Sequence, residues 1–307
     1  MSHRQTGVVL PPLLSLFRDF PYWDEPTEED TDDVNCVGRA GMPGAAQGVF
    51  PFGAPVRPRG LAIPATPKPV FVLGAYPSAF HVRWVPPEPW RPVPAIPVDN
   101  EPAVFWDGEA PDPAELFERW ATTYFNDSWG QVTPSRLNGS SGAKLAERWL
   151  APVSFSRADA FITDCLPLSR ASVGVAKRLA DAYAPFAVAT SAPKASLLAH
   201  PSENEIVHEA LDQHAERIRA QIDAAQPQAI ITLGNAAARV LAALNGASGR
   251  SGVLNAETYG QPRPLAGVAP GARWHALIHP AAPAFWQSRH DEFLSARGPR
   301  SSSRSSQ

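Results

Sequence analysis

The segment PVFVLGAYPSAF, residues 69–80, contains a short apolar run that stops abruptly at Gly74. Three later segments share this form: SSGAKLAERWLAPVSFSRADAFITDCLP (140–167), PQAIITLGNAAARVL (227–241) and WHALIHPAAPAFW (274–286). Their apolar runs stop at Asp164, Gly234 and His279-Pro280. Such runs are typical of strands that are covered on both faces of a parallel sheet. Because ligands bind at the carboxyl ends of these strands, we expect the four ends to form one site.

Helical patterns alternate with the four runs. A helix is predicted to begin after Asp112, which is its N-cap, and to reach Tyr124, because Pro113 and Glu115 stand at favourable first-turn positions. Ser202 and Glu205 form a capping box before one long helix that ends at Pro227. Further helices are predicted over 142–150, over 236–244 with Asn235 as the N-cap, and over 284–294. The alternation predicts an α/β fold, a three-layer α/β/α sandwich around a central, mostly parallel four-stranded sheet.

Proline divides the chain into regions. Half of its 34 prolines fall between Pro43 and Pro113, so this stretch is not expected to be mostly helix or central strand. We predict three parts: a Pro/Gly-rich N-terminal extension over 1–66 that is irregular and partly disordered, a domain over 67–297 with a Pro/Trp-rich insertion at about 81–113, and a disordered tail over 298–307. The apolar stretch 10–20 is a candidate to dock on the domain, and the acidic stretch 24–33 reads as a solvated loop.

Composition excludes several classes of protein. The formal net charge of −3 gives no global attraction to nucleic acid, although a local basic face remains open. Two cysteines, Cys36 and Cys165, are too few for a disulfide framework or a four-thiolate cluster. No apolar run reaches the roughly 18 residues that span a bilayer, and a signal pattern is missing at the N-terminus. We therefore expect a cytoplasmic monomer without a membrane partner.

The ordered set of strand-end motifs resembles the uracil-DNA glycosylase superfamily, most closely its bacterial and archaeal branch with an iron–sulfur cluster. The resemblance covers about 69–80 and 135–294. The motifs that carry it are Gly74-Ala75-Tyr76-Pro77, Ser141-Gly142-Ala143-Lys144-Leu145, Ile162-Thr163-Asp164, Leu233-Gly234 and His279-Pro280. It implies hydrolysis of the N-glycosidic bond of uracil or another modified base in DNA.

Three departures from the family pattern change that expectation. Ala75 and Tyr76 stand where the family usually has an acidic or amide residue that assists water attack. Asp164 stands where the family has a base-reading Asn. An ionised Asp only accepts hydrogen bonds, so it suits a base edge with donors or serves as a general base. The cluster cysteines are missing, so we expect no cofactor.

The resemblance also implies roles for the remaining site residues. His279 is the candidate catalytic donor to a carbonyl of the departing base, with Asp164 as a second catalytic candidate. The flipped base is expected to meet Gly74, Ala75, Tyr76, Pro77, Phe80 and Asp164, with Tyr76 and Phe80 as aromatic platforms. DNA is expected to meet Ser141, Gly142, Arg170, Lys177, Arg178, Pro280 and Phe285.

Other readings stay open at this stage. Ala75 and Tyr76 favour a catalytically silent relative that binds nucleic acid or a nucleotide, and a small-molecule nucleoside hydrolase is a third possibility. His208 and His214 lie six residues apart, about 240° around a helix, so we expect no metal site there.

Overall fold

The computed structural model describes residues 47–247 and 253–296. The predictions for the stretches 10–20 and 24–33 and for the tail over 298–307 lie outside the described residues. Among the described residues, no helix is both long and apolar enough to cross a membrane.

The described residues form eight strands and eight α-helices. The strands are β1 (Val70–Gly74), β2 (Ala79–Val85), β3 (Val93–Asn100), β4 (Gln131–Pro134), β5 (Ala160–Asp164), β6 (Ala229–Leu233), β7 (Arg263–Pro264) and β8 (Arg273–Leu277). The helices are α1 (Pro113–Tyr124), α2 (Ser140–Lys144), α3 (Val173–Arg178), α4 (Ala184–Thr190), α5 (Glu203–Gln213), α6 (Ala215–Ala225), α7 (Asn235–Leu244) and α8 (Ala284–Ser295).

The main sheet has the order β5-β1-β6-β8-β7. Its first four strands are parallel, and they are the four that the apolar runs predict. The two-residue β7 adds a short antiparallel edge, so the sheet has five strands rather than four. In the register of β1 and β5, Gly74 lies beside Asp164, which brings two predicted site residues together. The α/β prediction, with helices flanking a mostly parallel sheet, is confirmed.

The main core forms where helices cover this sheet. Every residue of β1 and β6 is buried. Both strands lie inside the sheet, and helices cover both of its faces. The predicted apolar stripe of the long helical region is buried at Val207, Ile218, Ile222 and Ala225. Its spacing at helical periodicity explains why one face of each helix packs on the strands.

Two predicted helix details are wrong. The single long helix after Ser202 is two helices, because His214 has a non-helical backbone and separates α5 from α6. Asn235 is not the N-cap of α7; Gly234 takes that position with φ +89, and the Asn235 side chain instead accepts a hydrogen bond from the Leu254 N–H. The predicted starts of α1 at Pro113 and of α5 after Ser202 are confirmed with their side-chain caps.

The Pro/Trp-rich stretch forms a second sheet, which the sequence analysis missed. Its order is β3-β2-β4, so the proline-free β2 is the central strand and β3 is an edge. Pro94 and Pro97 both lie in β3, where an edge position tolerates the missing N–H donors. The insertion, in a stretch that was expected not to be mostly helix or central strand, therefore supplies one central strand and one edge strand of this sheet.

A second core lies against this sheet, and residues 47–66 help to build it. Its largest members are Phe50, Phe52, Trp84, Trp106, Trp120, Tyr183 and Phe186. The ring of Phe52 contacts the rings of Trp84 and Tyr183, with centroids 5.4 Å and 5.1 Å away. The part of the predicted extension that the structure describes is thus packed into the domain, because its aromatic residues are buried there.

The Tyr183 hydroxyl ties this segment to the second core. It accepts a hydrogen bond from the Phe52 N–H at 2.6 Å and donates one to the Pro193 carbonyl at 2.6 Å. We expect Tyr183→Phe to lower the free energy of unfolding by about 1–3 kcal/mol, because it leaves one buried and one half-buried backbone group without this hydrogen bond. Urea unfolding measures this loss. The half-buried Tyr124 on α1 is the matched control, and equal effects of Tyr183→Phe and Tyr124→Phe would contradict the assignment.

Candidate functional site

The ends of β1 and β5 meet in a contact that only glycine permits. A Cβ atom placed on Gly74 would overlap Oδ1 of Asp164 and would lie 2.7 Å from Cε2 of Phe105. Because Gly74 has no side chain, the Asp164 carboxyl group and the Phe105 ring can both pack against its Cα at the sheet edge. Three residues from distant parts of the chain meet here.

Asp164 is buried without a hydrogen-bond partner. Its exposed fraction is 1%, and neither carboxyl oxygen accepts a hydrogen bond from any residue that the structure describes. Removal from water raises the pKa of this carboxyl to about 8; the nearby Arg217 guanidinium opposes the rise and the Glu101 carboxyl adds to it. Burial therefore favours the protonated carboxylic acid over the ionised, accept-only side chain that the sequence analysis considered.

Phe105 supplies the aromatic surface of the site. Its ring approaches Gly74 on one side and lies 5.5 Å, centroid to centroid, from the His279 ring on the other. Its backbone is left-handed, with φ +49, in a region that side chains other than glycine seldom adopt. Strain of this kind is concentrated at functional sites, where surrounding structure holds the residue in place.

His279 presents a defined hydrogen-bond donor. Its Nδ1 accepts a hydrogen bond from the Ala281 N–H at 3.1 Å, so in the neutral ring the proton is on Nε2. Loss of solvent lowers the pKa of His279 to about 4, and the positive charge of Lys144 lowers it further. The imidazole is therefore neutral at physiological pH, with its one N–H available on the side away from the backbone.

The residue before His279 is held by a network of three aromatic side chains. The Ile278 N–H donates to the Tyr259 hydroxyl at 3.1 Å, and the Ile278 carbonyl accepts from Trp149 Nε1 at 3.0 Å. The Tyr259 hydroxyl lies 2.8 Å from Nδ1 of the fully buried His290, whose ring stacks on Trp149 at 4.1 Å. Both backbone groups of Ile278 are therefore held by hydrogen bonds, and this determines the position of the His279 backbone.

A second network holds the other side of the site. The Arg217 guanidinium donates to the carbonyls of Asp164 and Cys165, at 2.8 Å and 2.6 Å, and to that of Gly60 at 3.1 Å. Gln221 adds a bond of 2.7 Å to the same Gly60 carbonyl. The end of β5 is thus joined to α6 and to the segment before β1 through backbone acceptors.

The loop after β1 runs beside the site. The carbonyls of Gly74 and Ala75 accept hydrogen bonds from the N–H groups of Cys165 and Leu166, both at 2.9 Å, so the two strand ends stay paired beyond the sheet. The Tyr76 hydroxyl lies 2.6 Å from His200 Nδ1. Pro77 is buried next to it.

Phe80 does not belong to this site. Its ring is 2% exposed and lies in the second core, 6.3 Å from the Trp106 ring. The prediction that Phe80 stacks on a flipped base was therefore wrong, because β2 carries its ring into the second sheet. The aromatic ring that lies near both Gly74 and His279 is that of Phe105.

The residues predicted to contact DNA differ in their surroundings. Arg170 is 8% exposed in its side chain and pairs with Glu209 at 2.5 Å, so its charge is neutralised inside the fold and the phosphate role was wrong. Lys177 is exposed and pairs with Asp181 at 2.8 Å, while Arg178 is half-buried. Phe285 at the start of α8 is 55% exposed.

The predicted phosphate cradle at the start of α2 is closely packed. A Cβ atom on Gly142 would overlap the carbonyl oxygens of Phe105 and Trp106, so this glycine is required for the helix to approach the Phe105 loop. Ser141 is half-buried beside it, and Pro280 is buried after His279. Gly142 therefore allows α2 to pack against the backbone of Phe105.

Three residues at the site carried no role in the sequence analysis: Phe105, Glu101 and Lys144. Phe105 and Glu101 lie in the stretch that was interpreted as an irregular insertion. Glu101 is 6% exposed, accepts a hydrogen bond from the Gly139 N–H at 3.3 Å, and has its pKa raised to about 7 by burial. Lys144 is exposed, within the electrostatic reach of His279. The sequence could have indicated Lys144 as a site residue, because it belongs to the motif that begins Ser141-Gly142.

Comparison with known families gives one match. The family model described as the Uracil DNA glycosylase superfamily matches residues 98–297, more than half of the chain. The matched range includes β5, β6 and β8 and begins after β1. A search of curated proteins found no match.

The buried carboxyl of Asp164 predicts a pH dependence of stability. In the unfolded chain an Asp ionises near pH 4, whereas in the folded chain Asp164 keeps its proton up to about pH 8. The folded state therefore binds more protons between these values, and stability falls as the pH rises, by up to about 1.4 kcal/mol per pH unit. Asp164→Asn removes this fall.

Urea unfolding at pH 5 and pH 7.5 measures the effect. Between these two pH values the free energy of unfolding of the wild type is expected to fall by about 1–3 kcal/mol more than that of Asp164→Asn. The exposed Asp223 on α6 is the matched control, and Asp223→Asn should leave the pH dependence as it is. Parallel curves for the wild type and Asp164→Asn would contradict the assignment of a buried neutral acid.

Proposed function

Because the chain belongs to the uracil-DNA glycosylase superfamily, we propose that it hydrolyses the N-glycosidic bond of uracil or another modified base that is flipped out of DNA. The observation that carries the proposal is the fixed tautomer of His279. An Nε2–H donor on a neutral ring beside Phe105, whose own ring reaches the contact of Gly74 with Asp164, is suited to a base carbonyl that gains negative charge.

The reaction needs few groups. The bond between C1′ and the base nitrogen breaks, and its electron pair leaves with the base while positive charge develops on the sugar. The His279 Nε2–H stabilises the departing anion, the Phe105 ring stacks on the base, and Asp164 binds its edge. Water adds its oxygen to C1′ and its proton neutralises the base, which gives a free base and an abasic sugar.

A base can reach these groups only outside the duplex stack. The exposed Phe285 ring follows His279 by six residues and is available to enter the gap that the flipped base leaves. Lys144 provides an exposed positive charge next to His279, which suits a nearby phosphate.

A catalytically silent binding protein is the competing function. Ala75 and Tyr76 replace the acid or amide that usually assists water, and the Tyr76 hydroxyl is engaged with His200. A measurement of base release distinguishes the glycosylase from the silent binding protein, because both would bind DNA.

We expect His279→Ala to slow base release by about 10²–10³-fold, because it removes the donor to the departing base. Labelled oligonucleotides with uracil, hypoxanthine, xanthine or hydroxymethyluracil are incubated with the protein and then cleaved with alkali at abasic sites. His208→Ala, on the exposed face of α5, is the matched control and should match the wild type. DNA binding without release from any of these substrates would reject the glycosylase and leave the silent binder; a free deoxyuridine arm tests a nucleoside hydrolase.

We expect Phe285→Ala to separate duplex from single-stranded substrates. Release from duplex should fall about tenfold, because the wedge compensates the energy of unstacking, while release from a single strand should change little. Val188→Ala, at another exposed apolar position, is the control. Equal losses on both substrates would show that Phe285 does not act on the duplex.

A further inference from the structure

We propose, building on the function above, that Asp164 reads the flipped base as a neutral carboxylic acid, so that ionisation of this one side chain switches base recognition off. The site then accepts a base edge that places one hydrogen-bond donor beside one acceptor. This role differs from that of an acceptor for donor-rich edges and from that of a general base.

The first support is the burial of a carboxyl group without a partner. Asp164 is 1% exposed, and its two oxygens accept no hydrogen bond within the described part of the chain. A buried carboxylate is stable only when it is paired, so an unpaired one takes up a proton instead. Neither oxygen is engaged by a described residue, but both are shielded from solvent, so a base reaches them only after the groups that cover them move.

The second support is the arrangement of charge around the carboxyl. The titratable or charged groups next to it, or on the adjoining strand ends, are Arg217 on α6, Glu101 after β3, Cys165 in the next position, Tyr76 after β1 and His279 after β8. Arg217 is the one that would favour ionisation. Its two terminal nitrogens donate to the carbonyls of Gly60, Asp164 and Cys165 and to the side chains of Thr163 and Gln221, and none of these bonds reaches the Asp164 carboxyl.

The third support is the hydrogen-bonding pattern. A carboxylic acid offers one O–H donor and one carbonyl acceptor side by side, as an amide does. Uracil presents the complementary pair at N3–H and O4, and two parallel hydrogen bonds can form. The carboxylate has two acceptors and no donor, so the bond to O4 is lost and a lone pair faces the carbonyl. The acid can carry its proton on either oxygen, so the same switch applies to every base edge that places one donor beside one acceptor.

The activity test is a pH profile of base release from a uracil oligonucleotide. In the wild type we expect release to fall about tenfold between pH 7 and pH 9, because ionisation centred near pH 8 leaves about a tenth of the molecules protonated. Asp164→Asn carries the same donor and acceptor at every pH, so this fall should disappear. Uracil N3–H also titrates in alkali, and the Asn variant corrects for that. An equal alkaline fall in both proteins would overturn the proposal.

Two further variants sharpen the result. Asp164→Ala should release base slowly at every pH, because the donor and acceptor are both gone. Glu101→Gln removes a neighbouring negative charge that favours the protonated form, so the alkaline fall should move to lower pH. A fall that moves to higher pH, or does not move, would contradict the charge arrangement.

A measurement on the protein alone separates this proposal from the glycosylase function. The ¹³C signal of the Asp164 carboxyl, assigned by its loss in Asp164→Asn, is followed by NMR as the pH rises. A protonated group at pH 7 supports the neutral-acid part of the proposal even if no base is released from any substrate, in which case the glycosylase function has failed. A carboxylate already ionised at pH 6 would overturn the proposal even if uracil is released.

Discussion

The approach of the Asp164 carboxyl to the bare Cα of Gly74 is the contact on which the site depends. Parallel pairing of β1 and β5 puts these two residues side by side at the carboxyl edge of the sheet. Glycine leaves the space that the carboxyl and the Phe105 ring occupy. Burial of Asp164 at this contact raises the pKa of its carboxyl, so the packing that shapes the site also favours the protonated acid.

The two sheets contribute different parts of this site. The main sheet supplies Asp164 and His279 at its strand ends, with Arg217 and Trp149 holding the adjacent backbone. The segment that follows β3 supplies Phe105, which has a left-handed backbone and packs closely against Gly142. A base that binds here would lie where the two cores adjoin, against groups whose backbones are fixed from both sides.

The sequence predicts the parallel sheet well, because continuous apolar runs such as 229–233 have few alternatives to a buried strand. Capping residues likewise predict the starts of α1 and α5, since Asp112 and Ser202 satisfy free N–H groups locally. The second sheet was missed because the density of proline hid β2, which itself contains none. Phe105 was missed for a related reason: its role comes from tertiary contact with Gly74 and His279, which no local pattern records. The protonation of Asp164 depends on burial, which follows from packing and not from the residue type.

The most direct test is a crystal structure with an oligonucleotide that contains 2′-fluoro-2′-deoxyuridine, whose glycosidic bond resists cleavage. The predicted complex has the flipped base stacked on Phe105, its N3–H and O4 at the two oxygens of Asp164, and another carbonyl at Nε2 of His279. A base bound elsewhere, or one that approaches His279 without contacting Asp164, would contradict the assignment of this site.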